Sequence, residues 1–302
     1  MTIALGILAS DGLVIAADTQ LSMGYLKTTA GKVTWAAKTE VPPGSNRTEI
    51  IVSGAGAEFS IKHLGQEITS EFMETPAVMP AQHVGNVLRK SVLGFHKQHV
   101  TPHGKDGSLD VWMIVGATDK IGKHLWVTDR SVTKEESRFG AVGVGLGMAR
   151  IVMEQMYAPV DTVGAILLAS YVIWRVKHSM DGVGDETDII ASSAGGKTYW
   201  VSRSQAAKLE DVFQRFSETK ADAFHTIFGR RVGWNGTTTV PAQLRKLKRE
   251  VEGIVASFED LPLWARVSRT ISQVAQSSPL PTTADPSHPQ PSPESPGGSD
   301  ES

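Results

Sequence analysis

The chain of 302 residues contains no cysteine. This absence excludes disulfides, thiolate nucleophiles, Cys-ligated zinc and iron–sulfur clusters. An excess of one charge is also lacking, because 30 lysines and arginines face 32 aspartates and glutamates, for a net charge of −2. We therefore expect no broad electrostatic contact with nucleic acid or with an anionic membrane.

Long hydrophobic runs are missing as well. The longest apolar stretch, residues 163–176, contains Ser170, Tyr171 and Arg175. It is shorter than the roughly 18 apolar residues of a membrane span, so it predicts a buried helix. The N-terminus has no basic segment and reaches Asp11 early, so we expect no signal peptide and a cytoplasmic protein.

The distribution of proline divides the chain. Seven of the 15 prolines lie in residues 277–302, where large apolar side chains are nearly absent. Such a segment cannot bury enough surface to offset its ordering entropy, which predicts a disordered tail over 276–302 or a proline-rich ligand. A second change in composition falls near Ser204. We expect one domain over 1–204 and a helical extension over 205–275, with helices at 209–224, 241–258 and 261–274.

The order of elements within 1–204 is the main indication of the fold class. Apolar, β-prone runs at 2–9 and 13–18 are joined by Ser10-Asp11-Gly12, which predicts a hairpin. The remaining strands are expected at 50–53, 110–116, 124–128, 187–192 and 198–202, with a short Gly-rich strand or turn at 140–145, and the helices at 58–72, 81–99, 148–157 and 160–180. Strands alternate with helix pairs, which predicts a layered α+β domain instead of a regular βαβ alternation.

Motifs for common cofactors are incomplete. Gly143, Gly145 and Gly147 lie between a strand and a helix, but large residues follow them where a dinucleotide fingerprint needs a small one. His96, His99 and His103 are spaced like zinc ligands, yet Pro102 interrupts the helix that would align them. We expect a polar helix end there, and neither a metal nor another cofactor.

The N-terminus offers a nucleophile of a different kind. Thr2 follows Met1, and its side chain is small enough for removal of the initiator methionine. The mature chain would then carry a hydroxyl and an α-amine, with an unperturbed pKa of about 8, on one residue. Such an amine can take the hydroxyl proton without a separate histidine.

The residues that follow Thr2 form a connected pattern. It consists of Thr2-Ile-Ala-Leu-Gly-Ile, Asp11-Gly-Leu-Val-Ile-Ala-Ala-Asp18-Thr-Gln, Met23-Gly24 and Lys32-Val33. This pattern resembles the start of mature proteasome β-subunits and bacterial proteasome-like peptidases. The resemblance implies Thr2 as nucleophile, Lys32 as an ammonium that lowers the amine pKa, and Asp18 as the carboxylate that holds Lys32.

Later blocks extend the resemblance to about residue 202. Gly54-Ala-Gly56-Ala-Glu58 is similar to the family's strand-to-helix turn, and Asp181-Gly-Val-Gly184-Asp185 to the segment after its fourth helix. The resemblance implies an αββα four-layer sandwich of the N-terminal nucleophile hydrolase type. It also gives Gly54 N–H an oxyanion role and Asp181 an orienting role near the terminus. The remaining implied residues line an apolar substrate pocket: Leu21, Val52 and Gly56.

Two positions depart from the family pattern, which usually has serine where this chain has Val144 and Gly184. The leading hypothesis is a threonine peptidase that hydrolyses protein or peptide substrates. The alternatives are a weak or inactive ring or scaffold subunit, and an amidohydrolase for small amides. Relatives form rings and are fed by an ATP-dependent unfoldase, so the resemblance implies both kinds of partner.

Overall fold

The computed structural model of the chain describes residues 2–23, 26–38, 47–76, 79–103, 110–193, 197–227 and 240–259. These residues all fall within one unit, Met1–Leu263. The expected tail over 276–302 and the expected helix over 261–274 lie outside them. Among the described residues, no helix is long and apolar enough to cross a membrane.

The described strands agree with every strand expected from the sequence and add four more. They are β1 (Ile3–Leu8), β2 (Gly12–Asp18), β3 (Gln20–Met23), β4 (Leu26–Thr29), β5 (Thr34–Ala37), β6 (Glu49–Gly56), β7 (Val111–Thr118), β8 (Lys123–Asp129), β9 (Val132–Glu136), β10 (Phe139–Gly143), β11 (Thr187–Ser193) and β12 (Lys197–Val201). The four that the sequence did not indicate are short: β3, β4, β5 and β9. They carry charged or polar residues, so their apolar pattern is weak.

The described α-helices are also close to the expected ones. They are α1 (Glu58–Glu74), α2 (Val84–Phe95), α3 (Leu146–Met156), α4 (Thr162–Ser179), α5 (Arg203–Ile227) and α6 (Val240–Glu259). The single helix expected over 81–99 is divided, because a 3-10 turn at Ala81–His83 precedes α2 and a π-helical turn at His96–Val100 follows it. Asp161 starts α4 by accepting a hydrogen bond from Gly164 N at 2.8 Å.

Two antiparallel five-stranded sheets form the centre of the described structure. The first has the strand order β10-β1-β2-β11-β12, and the second has the order β5-β6-β7-β8-β9. The N-terminal hairpin expected from the sequence lies in the first sheet, with Ala4 opposite Ala17 and Leu8 opposite Leu13. A separate ribbon of β3 and β4 connects the first sheet to the segment that carries Lys32.

Strand β1 is apolar throughout because both of its faces are buried. Ile3, Leu5 and Ile7 belong to a cluster with residues of α3, α4 and α5, while Ala4 belongs to a cluster with residues of the second sheet. Side chains alternate between the faces of a strand, so a strand that is covered on both sides needs no polar alternation. A third cluster joins the second sheet to α1 and α2.

The helical extension begins against α4. Phe213 of α5 contacts Tyr171 and Trp174 of α4, with ring centroids 5.3 Å and 6.1 Å apart. The first turns of α5 also bury Ala206 and Leu209. Helix α6 packs against α5, and Arg215 of α5 forms an ion pair with Glu250 of α6. The boundary expected near residue 204 therefore falls in the first turn of α5, and the division into domains stays a prediction.

Candidate active site

Thr2 lies at the start of β1 and is only 4% exposed. Its backbone is held against β10, where Ile3 is paired with Gly143. Gly143 has a φ of +103°, and a Cβ at this position would collide with the Thr2 carbonyl oxygen. Glycine is required here both for the positive φ and for this close approach, so Gly143 fixes the position of Thr2.

Lys32 makes three hydrogen bonds at the centre of the site. Its Nζ donates to Thr2 Oγ1, to Asp18 Oδ1 at 3.0 Å and to the Gln20 carbonyl oxygen at 2.6 Å. An ammonium has three N–H groups and no acceptor, so these three oxygens satisfy the charged form completely. The structure thus brings together three residues predicted from the sequence: Thr2, Asp18 and Lys32.

Asp18, at the end of β2, is fully buried and holds both sides of the site. Its Oδ1 accepts a hydrogen bond from Ile3 N at 3.0 Å as well as from Lys32. Its Oδ2 accepts one from Gly184 N at 3.3 Å. One carboxylate therefore links the N-terminal strand, the lysine and the segment after α4.

Two opposing effects act on the pKa of Lys32. Burial lowers the pKa below its ordinary value, because the charged form loses its hydration. The carboxylate of Asp18, together with those of Asp188 and Asp185, raises it and offsets part of the burial effect. The net direction is downward, because the effect of burial is the largest of these causes.

Residues 184–188 line the site. The sequence had indicated Gly184 and Asp185 as part of a resembling block but had given them no contact. Gln20 comes so close to Gly184 that a Cβ on Gly184 would collide with Gln20 Oε1. Asp185 has a φ of +62° and accepts a hydrogen bond from Thr29 in β4. Gln20, Thr28, Thr29 and Asp185 line a cavity of about 320 Å³.

The remaining predicted catalytic residues are placed differently. Gly54 lies in β6 opposite Met113, next to Ala55, whose Cβ is 2.9 Å from the position of a Cβ on Gly143. Gly54 thus lies on β6, a strand of the second sheet that contacts β1. Its oxyanion role stays a prediction. Asp181 is exposed on the turn after α4 and makes no hydrogen bond or ion pair with the residues that the structure describes. The structure does not link it to Thr2, and its orienting role also stays a prediction.

The three predicted substrate-binding residues lie on strands β3 and β6. Val52 is 2% exposed and packs in the cluster with α1 and α2. Gly56 is exposed at the end of β6 with a φ of +129°. Leu21 is part of β3, and its side chain lies outside the described part of the chain. The apolar pocket stays a prediction.

Three residues near the site make contacts for which the sequence had predicted no role: Gln20, Asp188 and Arg203. Gln20 follows Asp18-Thr19 directly, so its carbonyl oxygen can reach the lysine that pairs with Asp18. Asp188 is 1% exposed in an apolar strand, and a charge in such a strand is a signal for a buried partner. That partner is Arg203, at the expected domain boundary, where composition alone gave no reason to place it near the site.

No group of three or more histidine, aspartate or glutamate side chains among the described residues is arranged to hold a metal ion. What the site does provide is a buried hydroxyl, a lysine with a lowered pKa and a carboxylate that fixes this lysine. These are the parts of a nucleophile that is activated by its neighbours.

The described structure thus has two antiparallel sheets with helices packed on each. A buried group of Thr2, Lys32 and Asp18 lies at the end of a strand of the first sheet. Solved structures of Anbu match the chain over their whole length. One is a Gly-1 mutant of Anbu from Hyphomicrobium sp. strain MC1, with a TM-score of 0.59 and 16% identity. Another is Anbu, an ancestral beta-subunit, from Yersinia bercovieri, with a TM-score of 0.59 and 14% identity. Each match covers 78% of this chain and 100% of the other.

A helical assembly of the Anbu complex from Pseudomonas aeruginosa also matches, with a TM-score of 0.58, 15% identity and the same coverage. No protein-family model and no curated protein matches the chain. At this identity the likeness shows the fold: the chain has the fold of the Anbu subunits.

Proposed function

We propose that the chain is a proteasome-type threonine peptidase with an αββα four-layer sandwich, and that Thr2 becomes its N-terminal nucleophile when Met1 is removed. One observation carries this proposal: the Thr2 hydroxyl is buried and accepts a hydrogen bond from Lys32, which is itself held by Asp18. An ordinary buried threonine has no need of a lysine ion pair at its oxygen, since a carbonyl oxygen of the backbone is a sufficient partner.

The geometry supports a consistent role for each group. Because Lys32 donates to Thr2 Oγ1, the hydroxyl proton is directed elsewhere, and the free α-amine is the base on the same residue. The positive charge of Lys32 lowers the pKa of that amine, so more of it is neutral at a given pH. Asp18 keeps Lys32 at the oxygen throughout the reaction.

In the proposed reaction, Thr2 Oγ1 attacks the carbonyl carbon of the scissile amide while its proton passes to the α-amine. The C–N bond then breaks, the proton moves to the leaving nitrogen, and an ester on Thr2 remains. Water hydrolyses this ester to a carboxylic acid and restores the hydroxyl. We assign the Gly54 N–H to the oxyanion; one such donor contributes about 2.7–4 kcal/mol of transition-state stabilisation.

Self-assembly is part of the same proposal. Large apolar side chains are exposed on α1 and around the start of α3: Phe59 (86%), Val144 (50%), Leu146 (41%) and Ile151 (56%). Exposed apolar side chains of this size favour contact with other protein surfaces. The P. aeruginosa Anbu complex forms a helical assembly, and we propose that this chain also binds copies of itself. An ATP-dependent unfoldase stays a prediction from the resemblance.

A weak or inactive subunit is the second candidate. It is favoured by Val144 and Gly184, which supply no hydroxyl at the two positions where the resembled family has serine. In this case the fold and the assembly would persist without turnover.

The experiment that separates the two compares the parent with Thr2→Ala and Thr2→Ser on fluorogenic peptides and on casein. The proposal expects hydrolysis by the parent, reduced hydrolysis by Thr2→Ser and none by Thr2→Ala. Equal rates for the parent and Thr2→Ala would exclude the proposed nucleophile. No hydrolysis by any Met1-free form would favour the subunit without turnover.

A further inference from the structure

Arg203, the first residue of α5, binds Asp188 in β11, and Asp188 lies against the segment that carries Lys32. Arg203 donates from Nε to Asp188 Oδ1 at 2.8 Å and from Nη2 to Asp188 Oδ2 at 3.3 Å. Its third bond goes from Nη1 to Glu186 Oε2 at 2.6 Å. A two-point contact of this kind fixes both the position and the orientation of the Asp188 carboxylate.

This carboxylate lies directly under the segment that presents Lys32. A Cβ on Gly31 would be 3.4 Å from Asp188 Oδ2 and 3.7 Å from Arg203 Nη2, which places the backbone next to Lys32 against the pair. Asp188 is 1% exposed, so little water screens its charge. Its charge acts on Lys32 and raises the pKa of that lysine.

A second connection ties α5 to the same segment. Lys177 of α4 donates to the Asp185 carbonyl oxygen at 2.6 Å, to Thr187 Oγ1 at 2.6 Å and to Glu210 Oε1 of α5 at 2.8 Å. Thr187 Oγ1 also donates to Glu210 Oε1 at 2.5 Å. The segment that donates Gly184 N–H to Asp18 is therefore anchored to α5 at two points.

The charges that face Lys32 come from several elements. Asp18 acts from β2, Asp188 from β11 and Asp185 from the segment before β11. Arg203 of α5 is the cation that pairs with Asp188. The α-amine of Thr2 would add a further positive charge from the N-terminal side once Met1 is removed.

We propose that Arg203 is a positioning residue of the Thr2–Lys32 site, which it influences through Asp188. It holds the carboxylate of Asp188 under Lys32 and offsets its negative charge there. A role of Arg203 in catalysis rests on the proposed function. Its effect on the pKa of Lys32 can be measured whether or not the chain hydrolyses peptides. The start of the helical extension thereby becomes part of the site, although it lies beyond the residues that carry the resemblance.

The test is a titration of the Lys32 amine by NMR in the full chain with isotope-labelled lysine, with the signal assigned by its loss in Lys32→Arg. Arg203→Met leaves the charge of Asp188 without its offset, so it should raise the pKa of Lys32. Asp188→Asn removes the attracting charge and should lower it. We expect each change to alter the neutral fraction of Lys32 at a fixed pH about tenfold, in opposite directions.

Three further variants make the result specific. The double variant Arg203→Met/Asp188→Asn removes both charges and should bring the pKa of Lys32 back towards that of the parent. Arg203→Lys keeps the charge and should change the pKa of Lys32 less than Arg203→Met does. Arg215→Met is the matched control, because Arg215 lies on the same helix but pairs with Glu250 and Asp211, and it should leave Lys32 unchanged.

Single variants that leave the pKa of Lys32 at the parent value, or shift it in the same direction, overturn the inference. Should Arg203→Met fail to fold, the comparison of Asp188→Asn with the double variant decides the matter: the double variant also lacks the charge of Arg203, so its Lys32 should have the higher pKa, and equal values would overturn the inference. If the parent hydrolyses peptides, its pH–rate profile should move with the Lys32 titration. Opposite pKa shifts without any hydrolysis would support this inference and count against the proposed function alone.

Discussion

The side chain of Gln20 occupies the space directly beside the α-carbon of Gly184. A Cβ at residue 184 would collide with Gln20 Oε1, and Gln20 is only 7% exposed. The two residues also hold the two sides of the ion pair, since the Gln20 carbonyl oxygen binds Lys32 and Gly184 N–H binds Asp18. The space that a side chain at residue 184 would need is thus already filled by Gln20.

A serine at position 184 should therefore displace the end of the Gln20 side chain. We expect Gly184→Ser to lower the free energy of unfolding by about 1 kcal/mol at most, because the atom in the way is the end of a flexible side chain, which can move. Gln20→Ala should relieve the collision, so the double variant should lose less than Gly184→Ser alone. Chemical denaturation measures both values. Gly147→Ser is the matched control, because a Cβ there meets nothing within 4 Å; an equal loss at Gly147 would contradict the explanation.

Gly143 provides a test of how Thr2 is positioned. Gly143→Ala should cost about 1–3 kcal/mol from its positive φ alone, and the Cβ would also push the Thr2 carbonyl oxygen away. We expect the rate of peptide hydrolysis to fall even at temperatures well below the unfolding temperature, where the variant is still folded. Gly147→Ala should be neutral or slightly stabilising. Full activity in Gly143→Ala would show that the position of Thr2 does not depend on β10.

The buried ion pair makes a prediction about stability. Lys32→Met leaves the carboxylate of Asp18 buried without its cation, which should cost about 3–5 kcal/mol. The double variant Lys32→Met/Asp18→Asn removes both charges and should recover much of this loss while staying inactive. Urea unfolding and the peptide assay measure the two properties. A Lys32→Met variant as stable as the parent would argue against the pair.

The lowered pKa of Lys32 predicts a dependence of stability on alkaline pH. Between this lowered pKa and the ordinary value of 10.5, the unfolded chain binds more protons than the folded one, so stability should rise with pH. Below the lowered pKa, lysine is charged in both states and this contribution to the slope vanishes. Lys38, whose pKa burial also lowers, contributes with the same sign.

Urea unfolding at a series of alkaline pH values up to about pH 10 measures that slope, because ordinary tyrosines and lysines titrate from there upwards. We expect a shallower slope for Lys32→Met/Asp18→Asn than for the parent, because only the parent carries this titration. Lys38→Met should reduce the slope independently. Identical slopes for the parent and the double variant would show that Lys32 titrates alike in the folded and unfolded states.

Much of the fold could be predicted because the apolar runs are continuous and well separated. The hairpin of β1 and β2 and the helix α4 are buried on all sides, so their sequences carry an unambiguous signal. The ribbon of β3 and β4 was missed, since four-residue strands of mixed polarity have no detectable period. The division of the helix near residue 96 was missed too, because residues 96–99 are polar and have no apolar spacing that would distinguish a π-helical turn from an α-helix.

The site was predictable only where it is encoded near the N-terminus. Thr2, Asp18 and Lys32 lie within one short segment, and the structure brings them together. Asp188 and Arg203 reach the same point through the pairing of β11 with β2 and through the start of α5. These contacts join residues that are far apart in the sequence, so the spacing of residues along the chain could not predict them.

The most direct test of the account is intact and peptide mass spectrometry of the full chain after treatment with an epoxyketone. The account predicts a chain that has lost Met1 and carries one adduct, bound through both the amine and the hydroxyl of Thr2. Thr2→Ala should carry none, and Lys32→Met/Asp18→Asn should react far more slowly. A chain that retains Met1, or that is labelled equally in the parent and in Thr2→Ala, would contradict it.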